Sequence, residues 1–125
     1  LKTMKRIAYR ITGFNILMIA CFVLLTSSTQ LLPTNLRITV LNSLGNAEEG
    51  VTVTLYATEE NYIEEKNPVQ ESQLTDAKGR VTFTKLQPKP YFVVARKGDL
   101  DNNGEGAETA PLQEGRMNKV NIVIQ

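Results

Sequence analysis

The residues of this chain whose types and spacing could do chemistry lie in GDLDNNGEG, residues 98–106, where Asp99, Asp101, Asn103 and Glu105 alternate with other residues. In a calcium loop, oxygen donors at the first, third and fifth positions surround the ion, glycine at the sixth permits the turn, the seventh gives a backbone carbonyl, and a bidentate acid closes the shell at the twelfth. Counted from Asp99, the chain supplies Asp101, Asn103, Gly104 and Glu105 in order, but the twelfth position is Ala110. Glu108 comes two residues early, and no helix pattern flanks the stretch. The metal reading therefore makes Asp99, Asp101, Asn103 and Glu105 weak calcium ligands. The competing reading is a wide, polar hairpin connection, because Asn, Asp and Gly are the residues that turns demand. No other cofactor is implied.

Paired carboxylates offer a second chemistry. Asp99 with Asp101, or Glu64 with Glu65, could serve a hydrolase, but such pairs work only where a pocket drives their protonation apart. Nothing in the sequence encodes that pocket, and a sandwich of about ninety residues has little spare volume for one. The chain has no histidine, which excludes Ser-His-Asp and Cys-His catalysis and histidine-ligated zinc, and its single cysteine cannot form an internal disulfide. The expectation is a protein that is not an enzyme, with a carboxylate-dependent hydrolase as the alternative.

The elements that must carry these residues follow from charge and periodicity. The net charge of +1 over 125 residues hides an asymmetry: Lys2, Lys5, Arg6, Arg10 and Arg37 are the charged residues of positions 1–47, and all thirteen acids come later. The basic excess belongs to the N-terminal end, so the rest lacks the cationic stripe that nucleic acid requires, and no nucleic-acid partner is expected. Lys2 and MKRIAYR precede the apolar run Ile16–Leu25, and TSSTQ follows. That order matches a secretory signal, and the run is short of the roughly 20 residues that span a bilayer. Residues 1–34 thus read as a signal peptide or N-terminal membrane segment with a short linker, Met4 being the expected start. Three fates stand: cleavage near Thr26–Ser28, lipidation at Cys21 within LMIAC, or retention as an anchor helix. Any membrane contact belongs to this segment alone.

From Asn35 the hydrophobic period is two, the mark of half-buried strands. LRITVL sets Leu36, Ile38 and Val40 inward; VTVTLY does so with Val51, Val53 and Leu55, and RVTFT with Val81 and Phe83. In YFVVAR, Tyr91, Val93 and Ala95 face the core while Phe92 and Val94 take the wetter side. KVNIVI closes with Val120, Ile122 and Ile124. A sixth, weaker strand runs through VQESQLT, and Thr58 caps a turn or two of helix in ATEENYIEEKNP, ended by Asn67-Pro68. Tyr62 and Ile63 are candidate exposed anchors there. Short strands spaced by turn signals make an all-β domain, a β-sandwich of about six to seven strands over residues 35–125.

The segments LRITVLNSLGNAEEGVTVTLY, TDAKGRVTFTKLQPKPYFVVARKGD and KVNIVI resemble the carboxypeptidase regulatory-domain-like group, with its prealbumin-like (transthyretin-like) β-sandwich, as found in exported bacterial proteins. The resemblance covers about residues 35–125. It implies a non-catalytic module of an envelope or secreted protein, in the periplasm, at the cell surface or beyond, acting on an envelope protein or glycan. Transthyretin-like hydrolases rely on histidines that this chain lacks. Collagen-adhesin B-type repeats join a first-strand lysine to a last-strand asparagine; here the first strand offers Arg37, and Asn121 on the last strand has no evident partner. Gly79 is expected to permit a tight turn, and Leu86 with Tyr91 to plug the core.

Overall fold

A computed structural model describes residues 31–104 and 106–125. The expectations for a signal or anchor helix and for Cys21, and that for Glu105, lie outside the described residues. Alternation along the chain becomes strands β1 (Thr34–Leu41), β2 (Thr52–Tyr56), β3 (Gln73–Leu74), β4 (Arg80–Leu86), β5 (Phe92–Lys97), β6 (Leu100–Asp101) and β7 (Met117–Val123), with one short helix, α1 (Glu59–Glu64), between β2 and β3. Two sheets result, ordered β4-β1-β7 and β3-β2-β5-β6. All pairs are antiparallel except β1 with β7, which run parallel.

The inward residues follow the period of two. Leu36, Ile38 and Val40 of β1, Val81 and Phe83 of β4 and Ile122 of β7 meet Val53 and Leu55 of β2 and Val93 and Ala95 of β5 in one buried cluster. Leu86 and Tyr91 close one end of it, and the Tyr91 hydroxyl accepts a hydrogen bond from Gln87 N–H at 2.9 Å. The sandwich is thus built by strand alternation, and removing this much apolar surface from water is its main driving force. Asn121 is exposed, opposite Thr39 in the β1–β7 register, while Arg37 lies opposite Lys119.

The structure departs from the sequence expectations at three elements. The weak sixth strand shrinks to Gln73–Leu74. The connection after β5 is not wide: Gly98, with φ +59°, and Asp99 form a tight turn into β6, which pairs Arg96 with Asp101 and Lys97 with Leu100. Val94, assigned by parity to the wetter side, is buried at 7% exposure because α1 lies over that face of the sheet.

Gly79 shows how tightly one turn is held. Its φ is +72°, and a Cβ there would sit 2.7 Å from the Val40 carbonyl oxygen, which is backbone and cannot swing away. Asp76 fixes the same turn by accepting hydrogen bonds from the N–H groups of Lys78 and Arg80 at 2.9 and 3.0 Å. Gly79→Ala is therefore expected to destabilise the protein by about 1–3 kcal/mol, from left-handed backbone strain joined to a backbone clash. Urea denaturation checks it. A midpoint equal to wild type would contradict the turn geometry.

Candidate functional site

The stretch that suggested metal chemistry runs from the β5–β6 turn through β6 into the chain beyond it. β6 is only two residues long, and beyond it Asn103 and Gly104 bulge into a turn. At the far side of the bulge the chain rejoins β5: Val93 N–H donates to the Ala107 carbonyl at 2.7 Å, and Thr109 N–H donates to the Tyr91 carbonyl at 2.8 Å. Across the bulge itself β5 lacks main-chain partners, and the Asn102 side chain replaces them. Its Oδ1 accepts from Ala95 N–H at 3.0 Å, and its Nδ2 donates to the Val93 carbonyl at 2.9 Å. Asn102 is 2% exposed. A primary amide carries one acceptor and a donor group, as a peptide unit does, so it can stand in for a strand at this point.

Of the proposed ligands, Asp99, Asp101 and Asn103 lie among the described residues. Asp101 lies in β6, and its carboxylate accepts from Asn103 N–H at 3.0 Å and from Asn103 Nδ2 at 3.1 Å. Its main chain exchanges hydrogen bonds with Gln125, so the last residue is stitched to β6. Asp99 sits in the preceding turn, exposed. Among the described residues no three acidic, histidine or cysteine side chains converge in a way that could hold an ion. Sequence reasoning passed over Asn102, because in the calcium pattern it fills a position with no ligand. Its one signal was an asparagine directly after the second strand of a hairpin.

Thr75 and Thr109 do similar work elsewhere. Thr75 Oγ1 accepts from Val51 N–H and donates to the Glu48 carbonyl, at 2.9 and 2.6 Å. Thr109 Oγ1 accepts from Tyr91 N–H at 3.0 Å and donates to the Ala110 carbonyl at 2.9 Å. The buried polar side chains of this domain are engaged in joining loops to strands.

Helix α1 forms a second candidate surface. Thr58 caps it, its Oγ1 accepting from Asn61 N–H at 3.2 Å, and Glu65 ends it in the left-handed conformation. Tyr62 was expected to be exposed, but its ring stacks on Phe92 with centroids 5.7 Å apart and meets Tyr56 edge-on at 6.5 Å. Burial pushes the Tyr56 hydroxyl pKa up, with Glu65 adding to the rise and Arg96 opposing it. Glu65 is paired with Arg96 across the helix–sheet boundary. That pairing removes Glu65 from any partnership with Glu64. A shallow groove of about 190 Å³ between α1 and β5, lined by Tyr62, Ile63, Glu65, Val94, Arg96 and Asn103, contains this one carboxylate and its counterion. Ile63 remains 69% exposed, as anticipated for an anchor.

A larger groove, of about 540 Å³, runs along the β4 side and is lined by Arg37, Gln73, Leu74, Lys78, Arg80 and Thr82 among others. Asp76 also borders it, its carboxyl held below the usual aspartate range first by the hydrogen bond from Arg80 N–H.

These features define a seven-stranded β-sandwich whose polar interior serves the fold. No protein-family model and no curated protein matches the sequence. Among solved structures the chain is similar to a streptococcal ancillary pilin, with 17% identity and a TM-score of 0.58 over 78% of this chain and 33% of that one. It is similar also to the minor pilin of Streptococcus agalactiae, with 15% identity and a TM-score of 0.55 over 75% and 44%. The major pilin subunit of Bacillus cereus gives 12% identity and a TM-score of 0.54 over 74% and 28%. The chain spans less than half the length of each of these pilins. At such identities the likeness shows a shared β-sandwich fold.

Proposed function

We propose that the protein is an exported, non-catalytic β-sandwich module of the carboxypeptidase regulatory-like, prealbumin-like kind, acting at the cell envelope by binding or structural support. The observation that supports this reading best is the fold likeness to parts of major, minor and ancillary pilins. The site geometry agrees with it: the carboxylates weighed for catalysis are a turn residue, Asp99, a strand residue held by its neighbour, Asp101, an exposed residue at the end of α1, Glu64, and an ion-paired one, Glu65. Contact with an envelope protein or glycan falls to loops and α1, since the strands commit their inward side chains to the core. The N-terminal segment would deliver the module and supply any membrane contact, with Cys21 as acceptor if the chain is lipidated.

Intact-mass and N-terminal analysis of the protein taken from its native envelope tests the proposal. The expected mature chain starts at Cys21 with an added lipid, or near Ser28 without one. An unlipidated, unprocessed chain recovered from the cytosol would overturn it.

A further inference from the structure

The outer face of sheet β4-β1-β7 is cationic, with Asp76 as the one acid among the residues lining the groove beside it. Arg37 and Lys119 lie directly opposite each other in the β1–β7 register, an arrangement that repels. Arg80 follows on β4, opposite Thr39, and Lys78 precedes it in the turn. Among the described residues the ion pairs are Arg96–Glu65 and Lys97–Glu48, and neither involves these four cations. Asp76 is the acid nearest to them in the groove, and its carboxylate is taken by the N–H groups of its own turn. Beside Arg37, Lys78 and Arg80 the groove also presents Leu74, 67% exposed.

The same chain carries the complement. Helix α1 displays Glu59, Glu60 and Glu64, all exposed, around the exposed Ile63. Tyr62, stacked on Phe92, fixes α1 to the sheet β3-β2-β5-β6 over β5, whereas the groove takes Arg37 from β1 and Arg80 from β4, with Gln73 and Leu74 from the edge strand β3. The edge of β4 beside the groove is closed to an added strand: Gln73 Nε2 donates to the Thr82 carbonyl at 3.0 Å, and Gln70 Nε2 to the Thr84 carbonyl at 2.7 Å. The recognition groups left there are side chains, three cations around a leucine.

We propose that the groove lined by Arg37, Leu74, Lys78 and Arg80 docks helix α1 of a second copy of this chain, Ile63 meeting Leu74 while Glu59, Glu60 and Glu64 meet the cations. This stands apart from the envelope reading and does not depend on it. A simple polyanion would match the charges but not Leu74. One such contact leaves a groove free on one copy and a helix free on the other, so association either closes, as a reciprocal dimer or a ring, or continues as an open chain.

The test uses full-length chains, with the N-terminal segment kept in non-ionic detergent. One variant has the groove neutralised, Arg37→Ser with Arg80→Ser; another has the helix neutralised, Glu59→Gln with Glu60→Gln and Glu64→Gln. Circular dichroism first verifies that both are folded, the substituted side chains being exposed or half-exposed. In sedimentation velocity at low salt, wild type is expected to self-associate into dimers or larger species as concentration rises. Each variant alone is expected to lose this association, and an equimolar mixture to form a one-to-one dimer and nothing larger. High salt, near 1 M, where screening acts within about 3 Å, should abolish all of it. Wild type that stays monomeric, a mixture that fails to pair, or a groove that instead takes long-chain polyphosphate while the chain remains monomeric would each overturn the proposal.

Discussion

Phe83→Ala is expected to lower the stability of the protein by about 3–5 kcal/mol, the range found when a large aromatic is truncated in a packed core. Phe83 is fully buried, lies opposite Leu36 in the β1–β4 register, and is the largest side chain with no exposure. Cutting it to alanine removes apolar surface from both sheets at once and leaves a cavity that strands hydrogen-bonded on their flanks cannot collapse to fill. For a domain of this size the melting temperature should fall by roughly 15–30 °C. Thr82→Ala is the control. Thr82 is one residue away on the outer face, and its carbonyl, which accepts from Gln73, is unchanged by the substitution. Its effect should stay within about 0.5 kcal/mol. A reversed ranking in denaturant melts would mean that β4 has the opposite register, since a slip of one residue exchanges the two faces.

Asn102→Ala should come next, at about 2–4 kcal/mol. The substitution strands the Ala95 N–H and the Val93 carbonyl, both of which lose a buried partner. Asn102→Asp should be no milder: it retains an acceptor for Ala95, loses the donor for Val93, and puts a carboxylate where burial disfavours charge. Asn103→Ala, exposed and bonded only to Asp101 among the side chains, should cost well under half as much. Equal effects at Asn102 and Asn103 would show that the bulge is not stitched by the Asn102 amide.

The contrast between these residues explains how much could be read from the sequence. Strand positions were legible because alternation is local: Val53, Val81, Phe83 and Ile122 are buried as their parity requires. The turn at Gly79 was legible because few residues besides glycine tolerate its backbone. Val94 and Tyr56 were not, since their burial depends on a helix folding back over the sheet, a tertiary event that parity does not encode. Tyr62 was misplaced for the same reason from the other side. In the candidate site, the acidic alternation was visible and drew attention to Asp99, Asp101, Asn103 and Glu105. The residue that matters to the fold there is Asn102, whose role depends on which groups of β5 lack partners, and that is known only once the hairpin has closed.

Helix α1 and the β4 groove show the same division. Their charges are plain in the sequence, whereas the seat of α1 against β5 and the meeting of β1, β3 and β4 residues in the groove, with Ile63 and Leu74 left exposed, come from the topology.

The claim most exposed to test is that the polar residues from Gly98 to Gly104 hold a turn and, through Asn102, the edge of β5, and we expect no calcium to bind there. Calcium titrated to several millimolar into the full chain, with the melting temperature followed for wild type, Asp99→Ala, Asp101→Ala and Asn102→Ala, tests it most directly. The account predicts no calcium-dependent shift in any of them, and a large calcium-independent drop for Asn102→Ala alone. A rise in wild type that is abolished by both aspartate substitutions would contradict it.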